Sequence, residues 1–289
     1  MDNLSNISVI RDVLSRHGFS FSKGLGQNFL INPTVCPRMA EMGNAQPGWG
    51  MIEIGAGVGV LTAELAERAD KVVCIEIDSR LLPILDETLA EYDNIKIVNE
   101  DVLKVDLHRL IAEEFPEMPV AVCANLPYYI TSPIIMRLLE GPLPIRSLTV
   151  MVQKEAAVRI TAAPGTRECG AISAAVWYYS TPKLLFPVSR GSFLPAPAVD
   201  SAVIRLDLPQ ELPEDLPPRE DFFAVVRAGF GQRRKTMLNS LSAGLRWEKD
   251  ATRALLTAAG IAENARAEQV TLEQWKALTR AYFSMKKSR

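Results

Sequence analysis

The stretch VCANLPYYITSP, residues 122–133, has polar groups that could hold a ligand at the end of a buried strand. Its apolar start is typical of a strand. Pro127 ends that strand, because proline cannot donate to a β-ladder and keeps the preceding residue extended. The side-chain oxygen of Asn125 and the carbonyl of Leu126 are hydrogen-bond acceptors, and the ring of Tyr128 is a flat apolar surface. Taken alone, the segment also fits a plain strand-to-helix turn.

A glycine-rich loop, EIGAGVGVLT at residues 53–62, follows an earlier apolar run and leads into a helical pattern. Gly55 and Gly57 allow the backbone to approach a ligand closely, and the helix that follows offers unpaired N–H groups. A dinucleotide-binding turn needs a third glycine where this chain has Val60. The loop therefore favours a ligand without a diphosphate.

Acidic residues end the next two predicted strands. Glu76 lies about twenty residues after the glycines, where a carboxylate can accept both ribose hydroxyls of a nucleoside. Asp101 ends the third strand, where it could accept a hydrogen bond from an adenine amino group. A solvated charge at a strand end explains either residue taken singly. The series as a whole favours a nucleoside site at the carboxyl edge of a sheet.

Alternating apolar runs and helical patterns through residues 50–190 predict the sheet that positions these groups. The runs GMIEIG, KVVCIEID, IKIVNED, VAVCANLPY and LTVMVQ are almost continuously apolar, as parallel strands are when both faces are covered. The segments between them have helical spacing. A doubly wound α/β sheet is therefore predicted.

Charge is unevenly distributed, which indicates two domains. Residues 1–207 contain 18 Lys and Arg against 24 Asp and Glu, whereas residues 208–289 contain 14 against 10. The acidic, proline-rich segment PQELPEDLPPRE separates these ranges, and the chain beyond it has helical patterns only. We predict an α/β domain over 1–207 and a small, basic, all-α domain over 208–289.

Several classes of protein are disfavoured. No apolar run is long enough to cross a bilayer, and the N-terminus lacks the features of a signal peptide, so a cytoplasmic protein is expected. The four cysteines are far apart, and the two histidines lie away from the motifs. This distribution argues against a metal site, a disulfide framework and a histidine-based triad. Nothing in the sequence requires more than a monomer.

The glycine loop with Glu76 and Asp101 resembles the S-adenosylmethionine-dependent methyltransferases. That resemblance implies a Rossmann-like sheet in which the loop meets the methionine moiety, Glu76 the ribose and Asp101 the adenine of the cofactor. A NAD-binding oxidoreductase is the alternative for this half of the chain, and the missing glycine disfavours it. Residues 125–128 match the Asn-Leu-Pro-Tyr form of the motif found in methyltransferases that modify an exocyclic amine.

The chemistry of that motif requires no general base. The N6 amine of adenine is a poor nucleophile because its lone pair is delocalised into the ring. Acceptors from Asn125 and Leu126 would localise the lone pair, and Tyr128 would stack on the base. The methylated nitrogen is acidic enough to lose its proton to water. Phe193, in a loop stiffened by prolines, is predicted to form the opposite wall, with a core phenylalanine beside a rigid turn as the alternative.

The segments GLGQNFL, EIGAGVGVLT, NLPYYITSP, FLPAPAVDS and FGQRRKTMLNSL occur in the same order in the small-subunit ribosomal RNA adenine N6-dimethyltransferases. The chain is similar to that family over nearly its whole length. The resemblance implies dimethylation of two adjacent adenosines in the loop of the hairpin near the 3′ end of 16S rRNA, with an immature small ribosomal subunit as partner. The cofactor site is then implied to contain Asn28, Leu30, Gly55, Gly57, Glu76, Asp101 and Asn125.

One departure from the family and one basic cluster affect how RNA would bind. Residues 129–132 are Tyr-Ile-Thr-Ser, where many members have Asn-Ile-Ser-Thr, a departure beside the target pocket that leaves the acceptor pair intact. The basic cluster comprises Arg227, Arg233, Arg234 and Lys235. These residues are predicted to contact RNA phosphates, with a solvated helix face as the alternative.

Two other functions stay open at this point. The 23S rRNA adenine methyltransferases of the antibiotic-resistance type share the catalytic half of the chain. A ribosome-assembly factor for which methylation is secondary or lost would share the whole of it.

Overall fold

The structure is a computed structural model that describes residue 4 and residues 6–210, 217–232 and 234–287. In chain order its helices and strands are α1 (Ile7–Arg16), β1 (Phe29–Leu30), α2 (Val35–Met42), β2 (Gly50–Ile54), α3 (Val60–Ala66), β3 (Lys71–Ile75), α4 (Leu82–Thr88), β4 (Ile95–Val98), α5 (Leu107–Glu114), β5 (Val120–Asn125), α6 (Thr131–Glu140), β6 (Ile145–Gln153), α7 (Lys154–Thr161), α8 (Ala171–Tyr179), β7 (Thr181–Val188), β8 (Phe193–Leu194), β9 (Ser201–Asp207), α9 (Arg219–Phe230), α10 (Met237–Leu245), α11 (Lys249–Ala258) and α12 (Leu272–Lys287). None of these described helices combines the length and apolarity needed to cross a membrane.

Seven of the described strands form one sheet, in the order β4-β3-β2-β5-β6-β9-β7. Strands β2 to β6 pair in parallel, and β9 runs antiparallel to β6. Strands β2 and β5 are almost wholly buried, as their continuous apolar sequences require. The predicted doubly wound α/β sheet is confirmed, and all five predicted parallel strands are present.

The chain divides into two compact units. The first unit contains Met1–Ala157 and Lys183–Leu208 and holds the sheet, and the second contains Val158–Pro182 and Pro209–Arg289. The second unit therefore includes α8 along with α9 to α12. The division predicted from the sequence at residue 208 placed that helix in the α/β domain.

Aromatic side chains explain why α8 belongs with the helices. Tyr178 stacks on Phe222 with ring centroids 3.9 Å apart, and Tyr179 stacks on Phe223 at 5.5 Å. Such ring pairs bury a large apolar area at each contact. The periodicity of α8 shows that it is apolar, but it does not show which element the rings contact.

Candidate active site

One cavity of the first unit collects the residues that follow four parallel strands. Its lining includes the ends of β2, β3 and β5, the acids after β4, residues 25–30 and the turn after β5. Every predicted cofactor-site residue lines it, and so do Leu126 and Tyr128. The seven cofactor-site residues are Asn28, Leu30, Gly55, Gly57, Glu76, Asp101 and Asn125. This is the edge at which open α/β sheets bind ligands.

The glycine loop after β2 has a backbone that other residues rarely adopt. Gly55 and Gly57 have φ values of 78° and 60°, in the left-handed region where glycine has no steric penalty. A Cβ added to Gly57 would lie 3.0 Å from the ring of Phe29, whereas one added to Gly55 would meet no atom within 4 Å. Conformation requires glycine at both positions, and close packing adds to the requirement at Gly57.

Glu76 is a buried carboxylate whose two oxygens are already oriented by the backbone. It is 4% exposed, and its oxygens accept the N–H groups of Gly57 at 3.2 Å and Asp78 at 2.9 Å. Burial raises the pKa of Glu76 above its usual value, and these two hydrogen bonds oppose that shift. The carboxylate therefore links the glycine loop to the end of β3, and its remaining lone pairs can accept hydroxyl groups.

Ile77 and Asp101 add an apolar surface and a second acid to the cavity. Ile77 lines the cavity and is 52% exposed despite being apolar. Asp101 also lines the cavity, and its Oδ1 accepts the N–H of Leu103 at 3.0 Å. A flat, uncharged ring system would cover Ile77 and remove its surface from water. The sequence motifs did not predict a role for Ile77, and the available signal was an apolar residue directly after a strand-end acid.

An ion-pair network holds the segment before β1 next to the end of β3. Gln27 accepts the N–H of Ser22 at 2.8 Å and donates to Asp78 at 2.7 Å. The guanidinium of Arg80 donates to both oxygens of Asp78, and these bonds lower the pKa of that carboxyl group. The network connects residues that are 51 positions apart, so no local pattern in the sequence indicated it.

The turn after β5 leaves acceptors available at the cavity. The Asn125 amide donates to the backbone carbonyl of Asn28 at 3.2 Å, and its Oδ1 accepts no hydrogen bond from the described residues. The hydrogen bonds that hold the turn use the carbonyl of Pro127, which accepts from Ile130 and Thr131, and no donor in the described part of the chain uses that of Leu126. Two acceptors are therefore presented from adjacent residues.

Tyr128 is fixed by its hydroxyl group. Its Oη lies 2.6 Å from the Oγ of Ser201, the first residue of β9, and its ring is half-buried. Because β9 pairs with β6 and β6 with β5, the sheet itself sets the position of this ring.

The structure does not bring Phe193 to the cavity. Phe193 is 3% exposed in the hydrophobic core, where β8 pairs antiparallel with β1 and places Phe193 opposite Leu30. Leu30 lines the cavity, whereas Phe193 does not. This arrangement corresponds to the core phenylalanine that the sequence left open as the alternative to a stacking wall.

Glu53 is a cavity residue that the sequence motifs did not predict. It is 1% exposed, and it accepts hydrogen bonds from the Thr62 hydroxyl at 2.5 Å and the Cys74 thiol at 3.4 Å. Burial raises its pKa from 4.5 to about 8. The signal was a single acid inside the otherwise apolar strand GMIEI.

The raised pKa of Glu53 predicts a stability that falls with rising pH. The folded chain holds a proton at Glu53 that the unfolded chain releases above pH 4.5, so the free energy of unfolding should decrease between about pH 4.5 and 8. The expected slope is about 1.4 kcal/mol per pH unit. Glu53→Gln keeps the shape and an acceptor oxygen. It should remove the contribution of Glu53 to this slope in denaturant titrations across that range and leave that of Glu76, whose pKa is also raised by burial. The control Glu113→Gln, on the exposed face of α5, should keep the slope; an equal loss there would contradict the assignment.

The predicted RNA-binding residues fall in the second unit. Arg227 is in the last turn of α9, and Arg234 and Lys235 are in the turn before α10. All three are exposed, and none forms an ion pair with another described residue. Arg233 lies outside the described residues.

No group of three or more His, Cys, Asp or Glu side chains in the described ranges could hold a metal ion.

Comparison with known proteins gives the same family at the level of sequence and fold. The family model for ribosomal RNA adenine dimethylase matches residues 18–282. The ribosomal RNA small subunit methyltransferase A of Alkaliphilus oremlandii (strain OhILAs) is 49% identical over 280 residues, which are 96% of this chain and 97% of the relative. Its namesake from Geobacillus sp. (strain WCH70) is 48% identical over 275 residues, 94% of each chain.

Two solved structures are similar over most of the chain. A dimethyladenosine transferase from Plasmodium falciparum has a TM-score of 0.71 and 25% identity, covering 89% of this chain and 98% of that one. The 23S rRNA methyltransferase ErmE has a TM-score of 0.66 and 32% identity, covering 88% and 99%.

Proposed function

The chain belongs to the ribosomal RNA adenine dimethylase family, and on that premise we propose that it dimethylates N6 of two adjacent adenosines in the loop of the hairpin near the 3′ end of 16S rRNA. The methyl donor is S-adenosylmethionine. We further propose that the substrate is an immature small ribosomal subunit, and that the enzyme acts as a monomer in the cytoplasm.

The observation that carries this proposal is the pair of acceptors after β5. A primary aromatic amine has two N–H bonds, and Asn125 Oδ1 and the Leu126 carbonyl are two neighbouring acceptors to which no described residue donates. Binding both N–H bonds draws the nitrogen lone pair out of the ring and aims it at a methyl group. Tyr128, held by Ser201, supplies a fixed surface for the base.

The cavity residues suit the donor. S-adenosylmethionine supplies a sulfonium methyl group that an amine nitrogen can take by in-line displacement. Glu76 has the lone pairs for the ribose hydroxyls, and Ile77 offers an apolar surface to the adenine ring. Asp101 has one oxygen that accepts no hydrogen bond from the described residues and can accept the adenine amine. The glycine loop, with its left-handed residues, lets the backbone come close to the methionine moiety.

The chemical step needs positioning more than acid–base catalysis. Once the nitrogen carries a methyl group and positive charge, its proton is acidic enough to pass to water. The residues around Asn125 therefore contribute by holding the amine nitrogen in line with the methyl group that it takes, and by preventing other orientations of the base. A second transfer requires only that the monomethylated amine bind again with one N–H bond and one methyl group.

The relatives favour the small subunit over the large one. The two relatives named as small subunit methyltransferases are 48–49% identical to this chain, against 32% for the 23S enzyme. The available acceptor pair favours catalysis over a role in assembly alone.

The deciding experiment is methyl transfer from labelled S-adenosylmethionine to small subunits from cells that lack this modification. We expect N6,N6-dimethyladenosine at two adjacent positions of the 3′-terminal hairpin, identified by nucleoside mass spectrometry of the digested fragment. Transfer to large-subunit RNA instead would support the 23S alternative. Tight subunit binding without transfer would support the assembly factor.

A salt titration tests the basic cluster. We expect the double variant Arg234→Ala/Lys235→Ala to bind small subunits more weakly, and its plot of log affinity against log salt to be less steep by about 1.5, as expected for two lost phosphate contacts. Binding is measured by filter retention between low and moderate salt. Arg253→Ala is the matched control, because Arg253 is already paired with Asp250 and Glu263. An unchanged slope in the double variant would mean that these residues form a solvated surface.

A further inference from the structure

Tyr129 is an aromatic side chain left exposed at the edge of the active-site cavity. It is 61% exposed, the highest value among the large apolar side chains that the structure describes, and it also lines the cavity. An exposed aromatic ring leaves a large apolar area in water. Neither the donor site nor the acceptor pair uses this ring.

The backbone sends Tyr128 and Tyr129 to different sides of the turn. Tyr128–Ile130 is a 3-10 turn, in which successive side chains are about 120° apart. The Tyr128 hydroxyl bonds to Ser201 in β9, whereas the Tyr129 ring lies beside Gly26 in the segment before β1. The two rings are therefore available to two different partners.

Gly26 lets the Tyr129 ring lie close to the backbone. A Cβ added to Gly26 would be 3.3 Å from Cδ1 of the ring and 4.0 Å from the Cβ of Pro127. The backbone at Gly26 therefore lies against one side of the ring, while the rest of the ring remains accessible. A ring that is supported on one side and open on the other is a preformed stacking surface.

We propose that Tyr129 stacks on the nucleobase adjacent to the target adenine and so helps to select the substrate. This inference rests on the proposed function. A target adenine must leave its stack to reach Asn125, and its departure exposes one face of the neighbouring base to water. Stacking on an aromatic side chain restores that contact without requiring a particular base edge.

Because the two target adenosines are adjacent, Tyr129 can stack on a base during the modification of each. While either adenosine occupies the cavity, the other is its neighbour and has lost a stacking partner. The same ring can serve in both modification events, because every base has a face to stack. Tyr129 therefore acts in substrate binding, and not in cofactor binding or in the chemical step.

Steady-state methyl transfer to unmethylated small subunits separates these roles, with subunit and S-adenosylmethionine varied in turn. We expect Tyr129→Ala to raise the KM for the subunit about tenfold, the scale of one lost base stack, and to leave the KM for S-adenosylmethionine and kcat within about twofold. Tyr129→Phe should behave like the unmodified enzyme. Tyr129→Leu, which keeps apolar bulk without an aromatic face, should resemble the alanine variant.

Leu184→Ala is the control for removing an exposed apolar side chain, since Leu184 is 54% exposed on β7 and does not line the cavity. An unchanged subunit KM in the alanine and leucine variants would overturn the proposal. A rise only in the KM for S-adenosylmethionine would overturn it too, by making Tyr129 part of the donor site. If the unmodified enzyme transferred nothing to small subunits, the proposed function itself would have failed before any Tyr129 variant was compared.

Discussion

Replacing Asn125 with alanine should lower the rate of methyl transfer at least about a hundredfold, while small-subunit binding stays nearly unchanged. The Asn125 side chain is a single acceptor, so its loss removes one of two preorganised contacts to the reacting amine. RNA binding draws on a much larger surface. The measurement pairs single-turnover transfer with subunit binding, so that the chemical step is read separately from association.

Asn125→Asp is the variant that separates the acceptor from the rest of the side chain. It keeps an oxygen acceptor of the same size but loses the amide that donates to Asn28. We expect it to retain more activity than the alanine variant and less than the unmodified enzyme. Full activity in Asn125→Ala would show that the acceptor pair is not how this enzyme activates the amine.

Replacing Glu76 with alanine should weaken S-adenosylmethionine binding at least about a hundredfold. It removes the hydrogen bonds from two ribose hydroxyls to a carboxylate, and each such bond contributes about 1.5–3 kcal/mol. The substitution would also leave the N–H groups of Gly57 and Asp78 without their acceptor. The left-handed glycine loop would lose its link to β3. The dissociation constant of the donor, measured by isothermal titration calorimetry, gives the result directly.

Two further variants, Glu76→Gln and Glu100→Ala, serve as controls for the Glu76 experiment. Glu76→Gln keeps the volume and one oxygen, so it should fall between the alanine variant and the unmodified enzyme. Glu100→Ala removes an exposed acid from the same cavity, and we expect a loss of at most about threefold because water already solvates that carboxylate. Equal losses at Glu76 and Glu100 would point to general electrostatic attraction instead of specific hydroxyl binding.

Local sequence determined the parallel strands and the type of residue at each strand end. Strands covered on both faces are almost continuously apolar, so β2 to β6 are visible as apolar runs that only isolated polar residues such as Glu53 and Lys96 interrupt. The first polar residue after each run marks the sheet edge. Because carboxyl ends of parallel strands share one edge, the glycine loop, Glu76, Asp101 and Asn125 were predicted to meet. The cavity contains all of them.

The sequence pattern did not predict the surroundings of side chains that pack against distant segments. Phe193 followed a pattern that suited a wall of the site, but pairing of β8 with β1 buries it. Glu53 sits in an apolar strand, and only the burial of that strand raises its pKa. The ring of Tyr129 lies beside Gly26, which is far away in the sequence, and no local pattern indicates that contact.

The sequence by itself therefore determined the class of sheet, the chemistry available at its edge and the family to which the motifs belong, because periodicity and motif spacing are local properties. Only the tertiary structure decided which rings are buried, how Gln27 reaches Asp78 across 51 positions, and that α8 packs with the C-terminal helices. Those outcomes depend on contacts between segments far apart in the chain, and the free energy of such packing is shared among residues that no short window contains.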